Sequence, residues 1–166
     1  MLLLLIRHAQ AGDRDPARWP DDSLRPLTDE GAKIQLEVAG ALKRLKLEPE
    51  LVLSSPWTRA MQTAEITAQT LKLGHPVACP PLAEAPDLDA LQEHVGTRGP
   101  DSVVALVGHS PWMEELAALL LTGEDDGLEL DYPKSGVMGI ETERLAAGMG
   151  TLRWFWRAGQ VRKLGK

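Results

Sequence analysis

The N-terminal stretch constrains the fold more than any other part of the chain. An apolar run, Leu2 to Ile6, leads directly into Arg7 and His8, after which the sequence becomes polar. A short apolar run without alternation is typical of a strand that is buried on both faces, as in a parallel sheet. Arg7 and His8 are therefore expected at the carboxyl end of this strand, where open α/β sheets bind their ligands.

Length and composition limit the classes of protein that need to be considered. The chain has 166 residues, of which 43% are hydrophobic and 25% charged, so we expect a single globular domain spanning residues 1–166. A net charge of −6 argues against a nucleic-acid partner, and the leading apolar run is too short to cross a membrane. A single cysteine, Cys79, excludes an internal disulfide and favours a cytoplasmic location. Nothing in the sequence fixes an oligomeric state.

Predicted strands and helices alternate along most of the chain. Helices are predicted where apolar residues recur every three or four positions after a capping residue, with starts at Thr28, Ser54-Ser55-Pro56, Asp87 and Ser110-Pro111. Further strands are predicted at 51–53, 102–107, 137–142 and 151–157, with a weak one at 77–79 that its neighbouring prolines exclude from the sheet centre. The tail from Ala158 is predicted to be loose. This order predicts a three-layer α/β/α fold, whose mostly parallel central sheet has an antiparallel edge.

Three of the predicted buried strands end beside polar groups that suit phosphate. Arg7 and His8 follow the first strand, Arg59 lies in the first turn of the helix after the second, and His109 follows strand 102–107. If these strands are neighbours, their carboxyl ends meet at one pocket. Histidines, arginines and helix N-termini together bind a phosphate dianion well. Neither a carboxylate pair nor a metal-ligand cluster accompanies the motifs, so no metal or other cofactor is implied.

The residue types indicate separate chemical roles. A neutral His8 imidazole has a lone pair that can attack phosphorus, and nearby guanidinium charges keep it unprotonated. Arg7 and Arg59 can hold the phosphoryl oxygens and stabilise charge in the transition state, while His109 donates to another oxygen. Water would then attack the phospho-His8 intermediate and release phosphate.

Four motifs, in this order along the chain, resemble the histidine phosphatase superfamily. They are Arg7-His8-Ala9-Gln10-Ala11, Leu24-Arg25-Pro26-Leu27-Thr28 followed by Gly31, Ser55-Pro56-Trp57-Thr58-Arg59-Ala60-Met61-Gln62-Thr63-Ala64, and Gly108-His109. The first motif usually reads Arg-His-Gly in the superfamily. The form found here is close to the Arg-His-Ala-Glu-Ala of the small SixA-type phosphohistidine phosphatase branch, with which the short chain agrees. The resemblance covers residues 1 to about 121.

The resemblance implies a histidine phosphatase-like fold and roles for particular residues. His8 would accept the phosphoryl group, and Arg7, Arg59 and His109 would complete the pocket. Arg25 would be an additional phosphate or substrate contact, with a loop-bracing ion pair as the alternative. The superfamily often uses an acidic proton donor after the third strand, and Glu84 stands at the matching place in a poorly matching motif. Whether Glu84 donates a proton stays open at this stage.

Three functions remain for the chain, in order of preference. The first is a metal-independent phosphohistidine phosphatase that acts on proteins, because a pocket without a cap admits a protein side chain. The second keeps the chemistry but takes a small sugar phosphate, nucleotide or cofactor precursor. The third is a phosphate-recognition module without turnover, against which the intact His8 argues. Trp57 and Trp112 follow the pocket turns, where they either wall its entrance or pack beneath it.

Overall fold

A six-stranded sheet with helices on both faces forms the centre of the computed structural model, which describes residues 1–164. The strands are β1 (Leu2–Arg7), β2 (Leu51–Ser54), β3 (Val77–Ala78), β4 (Val103–Gly108), β5 (Val137–Glu141) and β6 (Thr151–Trp156). The helices are α1 (Asp29–Arg44), α2 (Thr58–Leu71), α3 (Leu88–Val95), α4 (Trp112–Thr122) and α5 (Ala158–Leu164), with 3₁₀ turns at Asp22–Leu24 and Pro80–Ala83.

The order of strands across the sheet is β3-β2-β4-β1-β5-β6. Strands β3, β2, β4 and β1 run parallel, whereas β5 pairs antiparallel with both β1 and β6. This topology confirms the predicted mostly parallel sheet with an antiparallel edge. Arg7 pairs with Gly108 and Ser54 with Val107, so β1, β4 and β2 end side by side. The segments that follow these three strands therefore emerge at one edge of the sheet.

The apolar side chains of β1 alternate between two cores. Leu3 and Leu5 are fully buried against α3 and α4, while Leu4 and Ile6 are fully buried against α1, α2 and α5. Complete burial on both faces explains why the strand is apolar at every position rather than at every second one. The strand that carries the candidate nucleophile is thus held in the middle of the three layers.

Two helix starts differ from the sequence prediction. The N-cap of α1 is Thr28 and that of α3 is Asp87, as predicted. However, α2 begins at Thr58 after Trp57, and α4 begins at Trp112 after Pro111. The hydroxyls of the two serines are used elsewhere, because Ser55 bonds to His109 and Ser110 donates to Glu114. The predicted capping role of Ser54-Ser55 and Ser110 was therefore wrong.

The tail is ordered rather than loose. Residues Ala158–Leu164 form α5, whose Val161 is fully buried against the core that α1 and α2 share. Arg162 also forms an ion pair with Glu37 of α1. None of the helices in residues 1–164 is long and apolar enough to cross a membrane.

Candidate active site

The residue after β1, His8, is presented with a defined tautomer. Its backbone N–H donates to the Gly108 carbonyl at 3.0 Å, which ties it to the neighbouring strand β4. Its ring Nδ1 lies 2.7 Å from the Ala9 carbonyl oxygen. Because a carbonyl only accepts, Nδ1 carries the proton and Nε2 keeps its lone pair. The ring is therefore set up as a nucleophile through Nε2.

The surroundings of His8 also keep its ring neutral. The side chain is only 7% exposed, and burial is the main reason why its pKa falls from 6.5 to about 3. The charges of Arg59, Arg7 and Lys134 lower the pKa further, in that order. An imidazole that stays unprotonated at neutral pH can attack phosphorus at any time.

Arg7 is fixed by the loop that precedes β5. Its Nη1 donates to the Tyr132 carbonyl at 2.5 Å, and its own carbonyl accepts from the Ser135 N–H at 3.1 Å. The Tyr132 hydroxyl donates in turn to the Leu5 carbonyl at 2.6 Å. This loop is thereby bonded to β1 at several points, and the Arg7 guanidinium is held beside His8.

Arg59 and Arg25 meet at one carboxylate, Asp22. Arg25 Nε lies 2.8 Å from Asp22 Oδ1, and Arg59 Nη2 lies 3.2 Å from Oδ2. Arg59 also donates from Nη1 to the Asp22 carbonyl at 2.8 Å. The hydrogen bond from Arg25 and the charge of Arg59 lower the pKa of Asp22, so the carboxylate stays ionised. Arg25 thus has the loop-bracing ion pair that was its alternative role, while its side chain still lines the pocket.

His109 lies next to His8 at the end of β4. The two ring centroids are 5.1 Å apart, and His109 is 3% exposed. Its Nε2 is 2.8 Å from Ser55 Oγ, which also accepts from the Trp57 N–H at 3.3 Å. Because the Trp57 contact uses the oxygen as an acceptor, the Ser55 hydroxyl is free to donate to Nε2. His109 Nδ1 would then carry the proton and serve as a donor.

Burial also keeps His109 neutral. It is the largest cause of the fall in the pKa of His109 to about 3, followed by the charges of His8, Arg59 and Arg7. The Nδ1 of His109 and the Nε atoms of Arg7 and Arg59 are buried without a hydrogen-bond partner among the described residues. A phosphoryl group provides acceptor oxygens for such donors.

These side chains line one cavity of about 390 Å³. Its wall contains five cationic side chains and one carboxylate, with aromatic rings beside them: Arg7, His8, Arg14, Asp22, Arg25, Trp57, Arg59, His109, Ser110, Trp112 and Lys134. Trp57 and Trp112 are therefore wall residues, with their rings 4.6 Å and 6.0 Å from that of His109. In this otherwise acidic protein, positive charge is concentrated where a phosphate dianion would bind.

Glu84 lies elsewhere. Its side chain is exposed just after the 3₁₀ turn Pro80–Ala83, and it lines a separate small cleft on the far side of Trp112. The structure thus brings together Arg7, His8, Arg25, Arg59 and His109, and it leaves Glu84 outside their cavity. The proton-donor role of Glu84 remains a prediction from the sequence.

Three residues at the site were missed by the sequence analysis. Asp22 pairs with two arginines, Ser55 contacts His109, and Lys134 lines the cavity. Asp22 and Lys134 lie in irregular segments rich in other charges, where no spacing distinguishes them. Ser55 had a signal, since it directly precedes Pro56 at the end of β2, but this pattern favoured a helix cap.

Comparisons with known proteins agree with this arrangement. A sequence model of the histidine phosphatase superfamily (branch 1) matches residues 3–86. The chain is 36% identical over 144 residues to an uncharacterized protein of Picosynechococcus sp., covering 86% of each. It is 30% identical over 157 residues to phosphohistidine phosphatase SixA of Escherichia coli, covering 93% of this chain and 92% of that protein. A solved structure of the protein histidine phosphatase SixA complexed with tungstate matches with a TM-score of 0.80 at 28% identity, covering 96% of this chain and 98% of that one.

Proposed function

The chain belongs to the histidine phosphatase superfamily, and on that premise we propose that it hydrolyses phosphohistidine on protein substrates through a phospho-His8 intermediate. The observation that carries the proposal is the tautomer of His8, whose Nδ1 proton is held by Ala9 while Nε2 stays free beside Arg7, Arg59 and His109. This arrangement suits nucleophilic attack on a bound phosphoryl group.

The reaction has two steps. In the first, His8 Nε2 forms a bond to phosphorus while the bond to the leaving atom breaks and its electron pair stays with the leaving group. Arg7, Arg59 and His109 stabilise the charge on the phosphoryl oxygens because they are already in place. In the second step, water attacks phosphorus, the bond to His8 breaks, and phosphate leaves.

Two observations support a protein substrate. The cavity wall is formed by strand ends and the loops beside them, and none of its described residues comes from an inserted cap. A side chain on another protein could therefore reach His8. The relatives named above also include a phosphohistidine phosphatase at 30% identity over nearly the whole chain.

The test compares phosphate release from matched donors. One peptide would carry phosphohistidine and the other phosphoserine at the same position, with an alkyl phosphate as the small-molecule donor. We expect kcat/KM to be at least about tenfold higher for phosphohistidine. A preference for the alkyl phosphate would instead support the small-molecule phosphomonoesterase.

Variants separate turnover from recognition. His8→Ala should abolish release from every donor, whereas His75→Ala, a matched change at an exposed histidine far from the cavity, should not. If the wild-type protein binds phosphopeptides and releases no phosphate from any donor, the chain is a recognition module and the proposed activity is wrong.

A further inference from the structure

The first chemical step requires a proton for the leaving group. An imidazole or alkoxide that departs with its electron pair is a strong base, so a positioned acid accelerates the step by about 10²–10⁴-fold. The acid must lie in the cavity that holds His8. Its lining residues therefore decide which group can supply the proton.

Most of the lining residues cannot donate one at neutral pH. Asp22 is ionised between two arginines, and both histidines are neutral because burial lowers their pKa to about 3. Arginine side chains are too basic to release a proton in proteins. Glu84 lines a different cleft. The side chain of Lys134 is the remaining strong proton donor among the described residues of the wall.

Lys134 is held firmly at the cavity. It lies between Tyr132, whose carbonyl accepts from Arg7, and Ser135, whose backbone N–H donates to the Arg7 carbonyl. Ser135 adopts a left-handed conformation with φ of 56°, a turn that holds the segment against the end of β1. The backbone that carries Lys134 is thereby attached to the backbone that carries the nucleophile.

The amino group of Lys134 keeps hydrogens available for a substrate. Its Nζ donates to Gln10 Oε1 at 2.7 Å, and no described carboxylate lies within 4.0 Å of it, in contrast to Arg25 and Arg59. An ammonium group has three hydrogens, so one bond to an amide oxygen leaves two. Gln10 is itself fixed by a bond from Nε2 to the Ala11 carbonyl at 2.9 Å.

We propose that Lys134 is the general acid and base of this site. In the first step, a proton passes from Lys134 Nζ to the leaving nitrogen or oxygen as its bond to phosphorus breaks, which leaves a neutral amine. In the second step, that amine takes a proton from the water that attacks phospho-His8 and returns to the ammonium form. The inference rests on the phospho-His8 step of the proposed function and holds for either kind of leaving group.

The electrostatics of the loop favour this role. Partial burial, followed by the nearby charges of Arg7 and Arg25, lowers the pKa of Lys134. A lysine with a lowered pKa gives up its proton more readily and still carries it at neutral pH.

A series of aryl phosphates with leaving groups of graded basicity tests the inference. The value of kcat/KM reports on phosphoenzyme formation, the step in which the leaving group departs. Lys134→Met should lower kcat/KM for phenyl phosphate by about 100-fold or more, but for 2,4-dinitrophenyl phosphate by only a few-fold, since that leaving group needs no acid. Lys134→Arg should behave like Lys134→Met because a guanidinium keeps the charge but does not give up a proton. Lys163→Met, at an exposed lysine of α5, is the matched control and should follow wild type.

Two results would overturn the inference. If Lys134→Met lowers all members of the series equally and Lys134→Arg restores them, the lysine only binds phosphate. If Glu84→Gln steepens the dependence on leaving-group basicity and the lysine variants do not, Glu84 is the acid. Neither result bears on the donor preference, so failure of this inference is distinguishable from failure of the proposed substrate.

Discussion

At the scale of single residues, the site depends on fixing proton positions. Backbone and hydroxyl contacts set the tautomers of the two rings, with Ala9 accepting from His8 and Ser55 bonded to His109. Burial and neighbouring cations remove the ordinary tendency of imidazole to protonate near neutral pH. The nucleophile is therefore ready before substrate arrives, and no separate base has to activate it.

The first prediction concerns the charge of the two rings. Because the pKa of both His8 and His109 is about 3 rather than 6.5, both should stay neutral between pH 8 and pH 5 in the free protein. Their ¹⁵N chemical shifts should show His8 protonated at Nδ1 throughout this range. A titration of either ring with a midpoint near 6.5 would contradict the burial argument.

The second prediction concerns Ser55. Ser55→Ala removes the partner of His109 Nε2 and frees the ring to rotate, so kcat/KM should fall by about tenfold or more. In a His109→Ala background the same change should have almost no further effect, because the ring that Ser55 positions is gone. Full additivity of the two substitutions would show that Ser55 acts by another route.

At the scale of secondary structure elements, the start of α1 is packed against the nucleophile segment. A Cβ placed on Gly31 would lie 2.1 Å from the Gln10 carbonyl oxygen. This close approach of backbone to backbone is possible only for glycine. The helix thus helps to hold the turn that follows His8 and that carries the partner of Lys134.

The third prediction follows from that contact. Gly31→Ala should lower the free energy of unfolding by about 1–3 kcal/mol, although alanine is the better helix former. It should also lower kcat/KM, because Gln10 must move. Gly40→Ala in the same helix is the control: its nearest neighbour is the end of the Arg44 side chain at 3.4 Å, so stability should hold or rise. Equal stability of the two variants in urea denaturation would contradict the packing argument.

The fourth prediction concerns α5. Val161→Ala should cost about 1–3 kcal/mol in the free energy of unfolding, because the side chain is fully buried against the core beside α1. Since α5 contributes no residue to the cavity wall, kcat/KM of the folded variant should match wild type. Lys163→Ala, an exposed neighbour, should change stability by less than about 0.5 kcal/mol. A stability change no larger than that control would mean that the tail does not brace the fold.

These elements differ in how far their sequences predict them. β1 and β4 were predictable because apolar residues at every position require burial on both faces. α5 was not, because Val161 is its only buried residue and the surrounding basic side chains match a loose tail. Its structure depends on a groove beside α1 that no local pattern encodes. The start of α2 was misplaced for a related reason, since Ser55 serves a histidine that lies far away in sequence.

At the scale of the whole molecule, strand order assembles the site. Placing β4 between β1 and β2 brings His8, Arg59 and His109 to one edge, although they are far apart along the chain. Sequence analysis could predict this convergence for residues that follow recognisable strands. It could not do so for Asp22 or Lys134, which reach the cavity from long irregular loops. The result is a cationic pocket in a protein with a net charge of −6.

The most direct test of the account is to locate the phosphoryl group on the trapped enzyme. Wild-type protein would be mixed with a ³²P-labelled phosphohistidine peptide and quenched within milliseconds in alkali, which preserves phosphohistidine. The account predicts label on the His8 peptide, bonded through Nε2, with none on His8→Ala. Label on another residue, or turnover by His8→Ala at the wild-type rate, would contradict it.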